Sequence, residues 1–247
     1  MTIIQQYKDV KKVAVLIPAF CEEETVADVV TPARAYVRDV IVVDDASTDE
    51  TAARAEAAGA TVIRRPVNGG KGAALTEGFK YILEKDFDAV ITMDADGFYD
   101  PDYIVTLLDT YYRTEIPVLI GNRMAYPRRV PMVRRWSIRA MSYWLYRLMG
   151  IYVADPPCGF RFYRCDVLPF LLESGSELPA ELETLLHVAL RRIRVGSVRI
   201  KKKPHCHKSW ISPFRDIVRF IKVLRKHRLR KKKAQPKLRL MFEDEDS

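Results

Sequence analysis

The chain has 247 residues, 48% hydrophobic and 30% charged, a globular balance that predicts one main domain with an appendage. No apolar run reaches the ~18 residues of a spanning helix and the opening MTIIQQYKDVKK lacks a secretory apolar core, so a cytoplasmic protein is expected. The net charge of +9 is uneven: residues 1–190 carry 21 Lys and Arg against 27 Asp and Glu, about −6, whereas residues 191–247 carry 20 against 5, about +15.

Taken in chain order, strands are predicted over 13–18, 40–43, 61–63, 89–93 and 118–120, where short β-branched and apolar runs occur. Ser47-Thr-Asp-Glu50 reads as a capping box that opens a helix to about residue 58, with Gly59 as its stop. Another helix is expected over 72–85, and Pro101 suits the first turn of a third. This alternation predicts β-α-β units around a parallel sheet.

In such sheets ligands gather at the carboxyl ends of the strands. Those ends carry Pro18-Ala-Phe-Cys-Glu-Glu, Asp44-Asp45-Ala-Ser, Asn68-Gly-Gly-Lys-Gly72, Asp94-Ala-Asp96 and Gly121-Asn-Arg123. Polar, charged and glycine-rich stretches on one edge define a site. Asp94 and Asp96 repel each other unless a divalent cation sits between them and a phosphate, so Mg²⁺ or Mn²⁺ on a nucleotide diphosphate is expected. The loop at Asn68 lacks the Gly-x-x-x-x-Gly-Lys-[Ser/Thr] spacing of a P-loop, and no Gly-x-Gly-x-x-Gly follows the first strand, which disfavours an ATPase and a dehydrogenase. Cys21, Cys158, Cys165 and Cys206 form no Cys-x-x-Cys pair and are expected to be reduced thiols.

The ordered motifs VLIPAFCEEETVADVV, IVVDDASTDET, NGGKGAAL, MDADGFYDP, GNRM, DPPCGFRFYR and ELETLLHVALRRI resemble those of family 2 inverting glycosyltransferases, and within them the polyprenyl-phosphate (dolichyl-phosphate-mannose-synthase-like) hexosyltransferases. The resemblance covers about residues 12–220. It implies an α/β GT-A fold, a Rossmann-like, mostly parallel sheet flanked by helices, over residues 1–210, with a basic amphipathic helix and charged tail over 211–247. It further implies that Pro18, Ala19 and Glu22 line the nucleotide pocket, that Asp45 bonds the base, and that Lys71 lies near the nucleotide. Asp94 and Asp96 would carry the metal and the donor diphosphate, Arg123 would face the acceptor phosphate, and Asp155 would lie near the donor sugar. Two departures stand out. Phe98 and Tyr99 replace the usual Gln and His, which leaves Asp100 or water as the further metal ligand, and Lys208 takes the place of an expected arginine.

The acceptor can be read from charge. A hydroxyl acceptor needs a base, whereas a phosphate monoester with second pKa about 6 is already anionic and needs positive charge to position it. Between Glu115 and Asp155 there is no carboxylate, but Arg123, Arg128, Arg129, Arg134, Arg135, Arg139 and Arg147 interleave with Trp136, Ile138, Met141, Trp144, Leu145 and Leu148 at helical spacing. Arg123, Arg135, Arg139 and Lys208 are the expected phosphate contacts. A basic, aromatic helix also suits a membrane interface, and Phe214 to Lys226 repeats the pattern. Glu181 and Glu183 offer a base for a hydroxyl acceptor or orient Arg161 or Arg164; Glu183 joins Asp94, Asp96, Arg123 and Asp155 as the candidate catalytic residues. With no C-terminal hydrophobic hairpin, attachment is expected to be peripheral on the inner membrane face.

The reading is thus a metal-dependent, inverting transfer of a hexose from a nucleotide sugar, of GDP-mannose or UDP-glucose type, to polyprenyl phosphate. A hydroxyl-acceptor enzyme of the same fold is the alternative. A nucleotidyltransferase is disfavoured by the place of the glycine-rich loop. No nucleic-acid partner is expected, because the tail is basic but the body is acidic.

Overall fold

A computed structural model of the chain describes residues 12–172, 180–201 and 203. Its strands are β1 (Val13–Ala19), β2 (Asp39–Asp44), β3 (Thr61–Arg64), β4 (Ala89–Thr92), β5 (Val118–Asn122), β6 (Arg161–Arg164) and β7 (Val195–Arg199). Its helices are α1 (Val26–Ala33), α2 (Thr51–Ala57), α3 (Gly70–Glu84), α4 (Tyr103–Thr114), α5 (Met132–Met149), α6 (Leu168–Leu172) and α7 (Ala180–Leu190). The strands form one sheet in the order β3-β2-β1-β4-β6-β5-β7. All run in one direction except β6, which is antiparallel to both β4 and β5. This is a GT-A-like sheet flanked by helices.

The apolar strands read as runs because both sheet faces are covered. Every residue of β1 and of β4 is buried, with α3 packed across β1 and β2 and α4 against β6 and β7. From β1 the chain moves outward to β2 and β3, then returns to place β4 on the other side of β1. That reversal opens a crevice between the ends of β1 and β4.

All five expected strands are present, and β6 and β7 add to them. The capping box does not form. Helix α2 starts at Thr51 without a side-chain cap bond; the Asp49 carboxylate accepts from the Thr51 N–H at 3.0 Å, and Ser47 Oγ accepts from the Cys21 N–H at 2.9 Å. Ser47 is drawn to the neighbouring strand end, a local side-chain bond that outcompetes the cap. Gly59 does end α2, with φ +90°. Helix α3 begins at Gly70, two residues before the expected start, and Pro101 lies just ahead of the α4 cap residue Asp102. Cys21, Cys158 and Cys165 are free thiols. Cys206, Lys208 and the segment 211–247 lie outside the described residues.

Helix α5 corrects the expected single apolar face. Ile138, Met141 and Leu145 are buried, whereas Trp136, Trp144 and Leu148 are 68%, 42% and 38% exposed. The helix has an inward apolar stripe and a separate outward aromatic one, because one flank must pack on the body while the other is left uncovered.

Arg161, at the start of β6, is 1% exposed. It donates to the carbonyls of Cys158 at 2.7 Å, Pro156 at 2.5 Å and Glu181 at 2.9 Å, and to Thr184 Oγ1 at 2.7 Å. This one side chain ties the segment ahead of β6 to α7. Arg161→Met leaves those buried acceptors unpaired and should lower unfolding free energy by about 3–5 kcal/mol, measured by urea denaturation.

Candidate active site

The turn after β4 carries Asp94 and Asp96 into the crevice. Lys71, in the first turn of α3, forms ion pairs with both Asp94 and Glu181 of α7. Burial works against its charge, but Asp94 and Glu181 overcome that and raise the ammonium above its ordinary value. Burial likewise pushes the Glu181 carboxyl upward, yet Lys71 and Arg161 hold it below the usual range. Asp96 forms no ion pair among the described residues, and feels the Lys71 ammonium only at a distance. Burial and then the neighbouring Asp94 push its carboxyl up to about 7, with Glu22 adding to the effect, although the Phe98 N–H donates to it at 3.1 Å. A site of hard oxygen donors that disfavours ionisation of an aspartate, first through burial and then through the neighbouring carboxylates, fits Mg²⁺ or Mn²⁺.

The approach of the β6 segment is set by Gly159. A Cβ at this position would lie 2.5 Å from Asp94 Oδ1 and 2.7 Å from Oδ2. The Gly159 N–H donates to the Tyr99 hydroxyl at 3.2 Å, and the Tyr99 ring stacks on Phe160 with centroids 5.5 Å apart. Tyr99 is therefore a buried support behind Asp94, and among the described residues no group of three His, Cys, Asp or Glu side chains forms a metal cluster. Asp100 faces Lys203, at 4.0 Å.

On the other side of the crevice, Pro18 and Ala19 end β1, and the Ala19 carbonyl accepts from the Asp45 N–H at 2.9 Å. Asp45 is 2% exposed. It pairs with Arg65 and accepts from the N–H groups of Gly69 at 3.1 Å and Gly70 at 2.6 Å. Gly70 has φ +78°, a backbone that side-chain-bearing residues rarely adopt, and this turns its N–H toward the carboxylate. Glu22 accepts from Thr25 Oγ1 at 2.9 Å, while its own N–H donates to Thr51 Oγ1 at 2.7 Å.

Beyond Tyr99, Arg123 is buried in a bidentate pair with Asp155, at 2.7 and 2.8 Å, and its backbone N–H adds a third bond at 3.0 Å. The two residues predicted to face acceptor and donor sugar thus meet each other. Arg134 of α5 stands in the same field: burial, then Arg123, hold its guanidinium below the ordinary arginine value, and Asp94 and Asp155 oppose them. Arg139 instead lines an open groove of about 470 Å³ with Asn122, Tyr143, Tyr146 and Tyr152. Arg135 is partly buried, its Nε without a hydrogen-bond partner. Glu183 lies 3.9 Å from His187, one helical turn on.

The structure therefore gathers Glu22, Lys71, Asp94 and Asp96, and separately Arg123 with Asp155; it gives two residues of the sequence reading partners not expected there, Lys71 for Glu181 and the field of Arg123 for Arg134. The spacing held a signal for Arg134. It shares the i, i+4, i+7, i+11 stripe of Ile138, Met141 and Leu145, which faces inward.

Strand-end carboxylates at a switch point, a glycine-rich helix start and a guanidinium-lined flank thus meet in one crevice, the arrangement of a group-transferring enzyme. A family model described as glycosyl transferase family 2 matches residues 14–170. An undecaprenyl-phosphate mannosyltransferase from Micrococcus luteus is 34% identical over 172 residues, 64% of this chain and 68% of that one. A polyprenol monophosphomannose synthase from Mycolicibacterium smegmatis is 31% identical over 175 residues, 64% of this chain and 63% of that one. The chain thus spans about two thirds of the length of each. A glucosyl-3-phosphoglycerate synthase from Mycobacterium tuberculosis, solved with Mn²⁺, UDP-glucose and phosphoglyceric acid, has the same fold, with TM-score 0.67, 22% identity, and coverage of 86% of this chain and 79% of that one. The chain belongs to glycosyl transferase family 2 and is a glycosyltransferase.

Two outcomes follow from the site. Because the Asp96 carboxyl is raised from an ordinary 3.8 to about 7, its contribution to stability is whole below 3.8 and is lost as pH rises through 7. Asp96→Asn should melt higher relative to wild type at pH 8 than at pH 5 in metal-free buffer. Gly159→Ala should keep the fold but displace the Asp94 carboxylate, lowering transfer at least tenfold in a donor-consumption assay.

Proposed function

We propose that this glycosyltransferase moves a hexose from a nucleotide sugar to polyprenyl phosphate, with inversion, on the cytoplasmic face of a membrane. The observation that carries this reading is the cationic flank beside the carboxylate pair: Arg134 lies in the field of Arg123 and Asp94, in a stretch from 116 to 154 with no acidic residue. An acceptor phosphate is already ionised at neutral pH, so the flank has to position it and no base has to act on it. The names of the two bacterial relatives, each of which specifies a polyprenyl carrier, support the same acceptor class.

Each group has a part. Asp45 and the Gly69 to Gly70 turn take the nucleotide end, with Pro18, Ala19 and Glu22 walling the pocket. Asp94 and Asp96 would hold Mg²⁺ or Mn²⁺, which would neutralise charge on the departing nucleoside diphosphate. Asp155 keeps the Arg123 guanidinium fixed in orientation, so that an acceptor oxygen meets the anomeric carbon from the face opposite the leaving group. Residues 1–210 form the catalytic unit, and the basic segment 211–247, with Lys208 just ahead of it, adds attraction to an anionic surface. The exposed Trp136, Tyr143, Trp144 and Tyr146 of α5, interleaved with Arg139 and Arg147, suit the headgroup layer. No helix among the described residues is long and apolar enough to cross a membrane.

The test is transfer of label into organic-extractable lipid, using vesicles with polyprenyl phosphate and GDP-mannose, UDP-glucose or UDP-N-acetylglucosamine in turn. Label is expected from one donor, with Asp94→Asn at least 100-fold slower, and Arg134→Gln should raise the acceptor KM about tenfold at unchanged donor KM. The second reading is a hydroxyl acceptor, for which Glu183 of α7, 3.9 Å from His187, would be the base. Donor consumption with a soluble acceptor, dependent on Glu183 and leaving the lipid unlabelled, would select that reading instead.

A further inference from the structure

We propose that Lys71 is a resident counter-cation that occupies Asp94 until a nucleoside diphosphate arrives, and that Glu181 is the positioning residue that holds the lysine when Asp94 is given up. The proposal rests on the reading of Asp94 and Asp96 as the seat of a divalent cation.

Three elements converge on the ammonium: Lys71 belongs to the first turn of α3, Asp94 follows β4, and Glu181 opens α7. The oxygen that Lys71 contacts is Asp94 Oδ1, the atom that also lies over the Cα of Gly159. With the β6 segment packed this closely against it, the carboxylate has little room to offer a cation one oxygen while keeping the lysine on another. Ammonium and divalent ion therefore compete. A divalent ion arriving alone displaces the lysine from Asp94 and leaves it the ion pair with Glu181, whose side chain is only 15% exposed. A diphosphate supplies further negative charge and removes that conflict.

Lys71 is also one residue from Gly70, whose N–H, with that of Gly69, grips Asp45. A nucleotide that engages Asp45 acts on the same helix start that carries the lysine. The consequence is cooperative entry: metal alone binds weakly, and metal with nucleoside diphosphate binds tightly.

Mn²⁺ binding, read from the free-ion electron paramagnetic resonance signal, tests this without any transfer reaction. Mn²⁺ is titrated into the full chain alone and with saturating UDP or GDP. Wild type should gain at least tenfold in Mn²⁺ affinity from one of the nucleotides. Lys71→Met, with Lys71→Ala as a second variant and thermal melts to establish folding, should bind Mn²⁺ alone at least tenfold more tightly than wild type and lose most of the nucleotide enhancement. Lys80→Met, a change of equal charge at a 57% exposed lysine elsewhere on α3, should match wild type; equal tightening there would reduce the effect to bulk charge and overturn the proposal. Glu181→Gln should weaken Mn²⁺ binding several-fold in the wild-type background and leave it unchanged in the Lys71→Met background, because it acts through the lysine. An equal loss in both backgrounds would make Glu181 a direct ligand and overturn its positioning role. Unchanged Mn²⁺ affinity in both folded Lys71 variants would overturn the competition. Absence of Mn²⁺ binding by wild type even with nucleotide would overturn the cation seat itself along with it.

Discussion

Negative charge concentrated at the end of a fully buried strand is the constraint that orders this site. Asp94 and Asp96 follow β4, whose residues are all buried, so their repulsion is only weakly screened by water. The protein treats the two differently. Asp94 is neutralised by an ammonium from another element, while Asp96 is left with a carboxyl pushed up to about 7. One member of the pair thus carries a resident ion pair, and the other is poised to ionise when positive charge enters. The surrounding architecture follows from that asymmetry, including the glycine that lets a strand segment approach Asp94 and the buried tyrosine behind it.

The reversed strand β6 is the second organising device. Its direction brings the segment 155–160 to the sheet edge where the parallel strands end, so a single short strand delivers Asp155 to Arg123 and Gly159 to Asp94. Arg161 then fixes the segment by bonding two of its carbonyls and that of Glu181 in α7. Most of this is backbone recognition. It holds the polar site in place with few acidic side chains on the guanidinium flank, where they would repel an anion.

Strands β1, β2 and β4 were legible as apolar runs because they are covered on both faces, and their polar ends marked the crevice. The edge strand β3 read from its β-branched Thr61-Val-Ile63 instead. β6 was harder, because Arg161-Phe-Tyr-Arg164 has charged residues at both ends and its central position depends on a buried arginine satisfied by distant carbonyls. The pairing of Arg123 with Asp155, 32 residues apart, and of Lys71 with Glu181 depends on topology that no local spacing encodes. The capping box failed for a similar reason: Ser47 found its partner on another strand end. For α5, the period was visible but not the rotation of the helix, and so two apolar stripes were merged into one.

The outward stripe of α5 also decides what light emission can report. Of the three tryptophans in the chain, Trp136 and Trp144 stand 68% and 42% exposed on this flank, away from the β-sheet core. Their indole rings already meet solvent in the folded state, so melting the sheet changes their surroundings little. Contact with a lipid or protein surface changes them greatly. The emission of these two indoles is consequently a gauge of what touches α5, and a poor gauge of whether the core is intact.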